Sequence, residues 1–119
     1  YVEALRDRGI SVRFEVRVDN AVEVLEAMMK EVGLIIWDNC MPFGHKLPRP
    51  NFYREEDIFG GVPFFRHVRM RLPSVPTLLF TGFASIVPDW NRPDRQEFAL
   101  AKPAYLPDEF SSTVAGLLG

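Results

Sequence analysis

The chain has 119 residues, 47% hydrophobic and 25% charged, which is enough apolar material for one packed core and excludes wholesale disorder. Its 14 Lys and Arg stand against 16 Asp and Glu, a net charge of -2 that offers no general footprint for nucleic acid or an anionic membrane. Apolar runs such as Leu34 to Trp37 are too short for a bilayer span, no charged-then-apolar leader opens the sequence, and the single cysteine, Cys40, excludes an internal disulfide or a cysteine-based zinc cluster.

Tyr1 to Arg8 read as the last turns of a helix, with Tyr1, Ala4, Leu5 and Arg8 on one face and Gly9 as the stop. Val12, Phe14, Val16 and Val18 alternate with Arg13, Glu15 and Arg17, and that period of two predicts a half-buried edge strand. Asp19 or Asn20 caps a second helix whose stripe is Val22, Leu25, Met29 and Val32, closed by Gly33. The run from Gly33 to Asp38 is short and continuously apolar between turn residues, as a strand buried on both faces of a parallel sheet would be. Residues 43–59 hold Pro48 and Pro50, mixed charge and no periodicity, and predict a long loop.

Gly60-Gly61 opens a helix in which Val62, Phe65, Val68 and Leu72 share a face, and Thr77 to Thr81 is a second buried strand ending at Gly82. Pro88 and Pro93 predict a loop over 88–96 with no regular element. Phe98 to Ala101 is a short last strand running into Lys102-Pro103. Pro107-Asp108-Glu109 starts a final helix with Phe110, Val114, Leu117 and Leu118 on its apolar side. Strands alternating with amphipathic helices predict an α/β fold, an open doubly wound parallel sheet built from right-handed βαβ units. The expectation is one soluble, cytoplasmic domain over 1–119, with no direct nucleic-acid or membrane partner.

In such sheets ligands collect beyond the carboxyl ends of the strands. Three predicted strands end there in Asp38, Thr81-Gly82 and Lys102-Pro103, which brings a carboxylate, a hydroxyl and an ammonium to one end of the sheet. That trio suits phosphoryl chemistry on a carboxylate: the carboxylate is the nucleophile, and the lysine and hydroxyl bind the oxygens over which transferred charge is spread.

The ordered set resembles the receiver domain of bacterial two-component response regulators. The matching residues are the apolar strand with Asp38, Met41-Pro42 beyond it, Gly60-Gly61 opening the next helix, Thr81-Gly82, Lys102-Pro103 and Asp108-Glu109. The resemblance implies a flavodoxin-like fold with helices on both faces of the sheet, and a signalling phosphoacceptor rather than an enzyme. It makes Asp38 the acceptor, Thr81 with Gly82 the switch, and Lys102 with Pro103 the counter-ion position. It also implies a magnesium ion on Asp38 and the backbone carbonyl of Cys40. The implied partner is a histidine kinase or phosphotransfer protein, with homodimerisation as a further option.

Three departures from that pattern stand out. The family opens on an apolar strand ending in an acidic pair that holds the magnesium, and neither precedes Tyr1, so the chain is expected to be an N-terminally incomplete version. Residues 43–59 are an inserted loop, either a surface excursion or a lid beside the acceptor. The aromatic switch position three places before the lysine is Ala99, while Phe98, one place earlier, faces the other side of its strand. The alternative reading is a receiver-like fold used without phosphorylation as an interaction or dimerisation module. A small hydrolase working through an aspartyl phosphate is a third.

Overall fold

The computed structural model describes residues 1–38, 61–102 and 107–119. Three strands, β1 (Ile35–Trp37), β2 (Thr77–Thr81) and β3 (Glu97–Ala101), form a parallel sheet in the order β1-β2-β3. Ile35 pairs with Thr77 and Trp37 with Leu79, while Thr77 pairs with Glu97 and Thr81 with Ala101. Five helices accompany them: α1 (Val2–Asp7), α2 (Val18–Met28), α3 (Gly61–Arg71), α4 (Val87–Trp90) and α5 (Pro107–Leu118).

β2 is buried along its whole length, so its side chains supply both faces with core. Leu79, with Trp37 and Ala99, packs on Val18, Val22 and Leu25 of α2 and on Phe64, Phe65 and Val68 of α3. Leu78 and Phe80 pack on the opposite side with Leu5 of α1 and with Phe110 and Val114 of α5. Helices therefore cover both faces, as the continuous apolar run of a central parallel strand requires. Arg8 reinforces the second face by donating to Ser111 Oγ and Ser112 Oγ, each at 2.6 Å, which ties α1 to α5.

α1 ends as its glycine foretold. Gly9 sits at φ +77°, its N–H donates to the Arg6 carbonyl at 2.9 Å, and the Ile10 N–H donates to that of Leu5 at 3.1 Å. That pair of bonds is a Schellman motif, which a left-handed residue makes possible.

Two expectations need correction. Val12 to Val18 is not a strand: 11–15 have no regular structure, 16–17 bend, and Val18 already belongs to α2, which starts before Asp19 or Asn20 with Arg17 as its N-cap. Phe14 and Val16 stand 62% and 61% exposed. The alternating pattern suits a pleated surface, but a strand also needs a partner, and among the described residues this segment pairs with none of β1, β2 and β3. Nor is 88–96 a plain loop: the prolines occupy the opening turns of α4 and of a 3₁₀ turn, Pro93–Arg95, where a missing N–H costs nothing.

Candidate functional site

All three strands run the same way, so Asp38, Thr81 and Lys102 leave the sheet at one end. Asp38 follows the last residue of β1, Thr81 closes β2, and Lys102 follows the last residue of β3. The β2–β3 ladder runs one step past the strands, the Lys102 N–H donating to the Thr81 carbonyl at 2.6 Å. This fixes where the lysine side chain starts.

From there it crosses the end of β2. Lys102 Nζ lies 5.2 Å from the centroid of the Phe80 ring and donates to Asp38 Oδ2 at 2.8 Å. Phe80 is held in place by a stacked Phe110 (4.4 Å between centroids) and by Tyr1 set edge-on at 4.9 Å. The ammonium thus has an aromatic floor, to which its charge is attracted, and a carboxylate at its tip. Both charged side chains stay partly open to solvent, Lys102 at 38% and Asp38 at 30%.

Thr81 is placed differently. Its side chain is 0% exposed, and its Oγ1 accepts the N–H of Phe83 at 3.0 Å, a short-range turn of the kind hydroxyl residues favour. By strand alternation it shares a face with Leu79 rather than with Phe80. Gly82 has a negative φ, and a Cβ there would meet nothing within 4 Å, so neither backbone conformation nor crowding demands glycine at that position.

Cys40, Pro103 and the 43–59 loop lie outside the described residues, as do Met41, Pro42 and Gly60. Among the described residues no group of three or more His, Cys, Asp or Glu side chains assembles that could hold a metal ion. Of the implied magnesium ligands, Asp38 lies among the described residues and Cys40 does not.

The departure at Ala99 is visible in the packing. Ala99 is buried in the α2/α3 cluster, whereas Phe98 packs with Leu78 and Phe80 on the opposite face. What occupies the face beside Ala99 is an aromatic group without a motif: Trp37 stacks on Phe65 at 4.8 Å, and Trp90 meets both edge-on, at 5.4 and 5.5 Å. Sequence reading assigned Trp90 to a loop and left Phe80 as one core residue among several. Parity would have found Phe80, because it shares a face with both Asp38 and Lys102.

Arranged in this way, the site pairs a solvent-reachable carboxylate with a cation placed where it could also bind other negative oxygen. The described helices include none long and apolar enough to cross a membrane. No family profile matches the chain, and neither the curated proteins nor the solved structures yield a match.

Proposed function

We propose that the chain is a phosphoacceptor module of the receiver type, in which Asp38 takes a phosphoryl group from a phosphohistidine on a kinase or phosphotransfer protein. The contact between Lys102 and Asp38 across the end of β2, at 2.8 Å, carries this reading. A lysine spends side-chain freedom to hold a carboxylate in this way, and the same ammonium is then in place for a new anionic oxygen on that carboxylate. The distribution of elements supports it further: α1 and α5 share one face of a parallel sheet, and α2 and α3 pack on the other, as a flavodoxin-like fold requires.

In the transfer, an Asp38 oxygen attacks phosphorus, a P–O bond forms, and the P–N bond to the donor imidazole breaks with its electron pair staying on nitrogen. Water later cleaves the acyl phosphate, returning the carboxylate and inorganic phosphate. Lys102 is bound to Asp38 Oδ2 before the reaction and holds the transferred oxygens afterwards. Magnesium enters this reading only where acidic ligands are supplied beside Asp38, and it would then screen the charge between carboxylate and phosphoryl oxygens.

Intact-mass spectrometry before and after incubation with magnesium and acetyl phosphate tests the reading. The expected result is a gain of one phosphoryl group that is absent from Asp38→Asn. No gain in the unaltered chain overturns the acceptor role and leaves a receiver-like interaction module.

A further inference from the structure

Lys102 reaches Asp38 on a long, flexible stem, and among the described residues two groups act on its ammonium. One is the Asp38 carboxylate, with Oδ2 at 2.8 Å, and the other is the Phe80 ring, with its centroid 5.2 Å from Nζ. Under the acceptor role proposed above, the carboxylate is the group that reacts. The ring is the support that the reaction leaves unchanged.

Phe80 is built as a fixed support. It is 5% exposed, Phe110 of α5 stacks on it at 4.4 Å, and Tyr1 meets it edge-on at 4.9 Å. Tyr1 also meets Phe110 edge-on, at 5.2 Å, so the three rings contact one another in a closed triangle. Stacked and edge-on contacts at these separations are the favourable ones for aromatic pairs. A ring already locked in this way loses no further freedom when a cation settles over it, whereas an unsupported lysine must give up its rotamers at the site.

The chemistry of the support matters as well. A carbonyl or carboxylate in place of the ring would be a second strong acceptor, competing with phosphoryl oxygen for the N–H groups of the ammonium. A ring attracts the charge through its quadrupole and leaves those donors for oxygen. Its attraction also spreads over the whole face, so Nζ keeps it while moving from Asp38 Oδ2 to an oxygen carried on phosphorus.

We infer that Phe80 is a positioning residue for Lys102, its ring holding the ammonium at the carboxyl end of β2 whether Asp38 is a free carboxylate or an acyl phosphate. The acyl-phosphate half of that inference rests on the acceptor role proposed above. The free-carboxylate half does not.

The geometry is tested on the whole chain without any phosphoryl donor. The lysines are Lys30, Lys46 and Lys102, so carbon-13 lysine gives three sets of ε-methylene signals, assigned with Lys102→Met. The Lys102 protons are expected upfield of the other two sets, shielded by the ring current of Phe80, and are expected to stay upfield in Asp38→Asn. A Lys102 signal at the ordinary lysine position in the unaltered chain, or one that returns there in Asp38→Asn, overturns the inference.

Uptake is tested by placing a series of ring-fluorinated phenylalanines at position 80, which keep the packed ring and progressively weaken its attraction for a cation. With magnesium and acetyl phosphate, Asp38 attacks phosphorus and acetate leaves with the electron pair of the broken P–O bond; intact mass times the gain. The most fluorinated chain is expected to take up phosphoryl groups about two- to fivefold more slowly, the factor that an exposed contact of this kind is worth. In a Lys102→Met background the same series is expected to change nothing, a dependence on the lysine that a merely structural ring would not show. Uptake that is flat along the series, or that falls equally without the lysine, overturns the inference and spares the acceptor role. No uptake in the unaltered chain overturns the acceptor role instead, and the lysine signals then decide the positioning alone.

Discussion

A lysine at the end of a strand is ordinarily a solvated cation, and Lys102 departs from that in a way that separates function from stability. Its partner and its own side chain are both about a third exposed, so solvent and salt screen the pair, and exposed pairs of this kind contribute at most about 1 kcal/mol. The stability of the chain therefore does not depend on the contact, whereas under the proposed acceptor role the binding of anionic oxygen at Asp38 does. Replacing Lys102 with Met, which keeps the apolar stem over Phe80, is expected to change the unfolding free energy by less than about 1 kcal/mol. It is expected to slow phosphoryl uptake from acetyl phosphate by about a hundredfold, the usual loss when one preorganised charge-stabilising group is removed. Denaturant titration and a mass time course read the two quantities separately. A loss of several kcal/mol with unchanged uptake makes Lys102 a structural staple instead.

Between elements, the clearest charged link joins α2 to α3. Glu26 accepts two bonds from Arg71, Nε to Oε1 at 3.0 Å and Nη2 to Oε2 at 2.7 Å, and His67 Nε2 lies 3.2 Å from Oε1. The Arg71 guanidinium beside Glu26 holds its carboxyl below the ordinary value of 4.5, with His67 adding to the effect. A lowered folded-state value means the pair stabilises the fold fully above the unfolded carboxyl's range and is lost as pH falls through the lowered value. Wild type is accordingly expected to exceed Glu26→Gln in stability by a constant margin at neutral pH. The margin closes as the solution is acidified below 4.5, and shrinks at neutral pH in high salt. Unfolding curves across pH check this; a margin that widens on acidification sinks it. No periodicity announces such a link, since Glu26 and Arg71 lie on exposed turns and His67 is only half-buried. The elements themselves were far more legible: β2, α3, β3 and α5 lie within a residue or so of their apolar patterns. The failures share a cause. Alternation at 12–18 reports fitness for a pleated surface and says nothing about whether the segment pairs with a sheet. Pro88 and Pro93 look like breakers until the chain around them is known to be starting a turn. Asp38 and Lys102 were readable because strand ends can be counted. The Phe83 N–H that donates to Thr81 Oγ1 was not, because a backbone donor leaves no mark in composition.

At the scale of the molecule, one three-stranded sheet is shared by two separate apolar clusters. Val68 on α3 is 0% exposed in the cluster with Trp37, Leu79 and Ala99, and Val114 on α5 is 1% exposed in the cluster with Leu78 and Phe80. Because β2 contributes alternate residues to both, neither cluster can melt without taking the central strand's other face out of its packing. The two faces should therefore unfold in one transition, although they touch different helices. Val68→Ala and Val114→Ala are each expected to cost about 2 kcal/mol, from the lost burial and the cavity left behind. The residues sit on opposite sides of the sheet with no helix in common, so the double variant is expected to cost their sum within about 0.5 kcal/mol. Circular dichroism in the far ultraviolet and tryptophan emission are expected to report the same midpoint in all four chains, even though both tryptophans lie on the Val68 side. If Val114→Ala shifts the far-ultraviolet curve and leaves the emission curve in place, the clusters are independent and the sheet does not couple them. Coincident curves with additive losses mean that the two faces unfold as one cooperative unit through β2 while the two valines do not interact with each other, so that loss of either cluster opens the whole sheet.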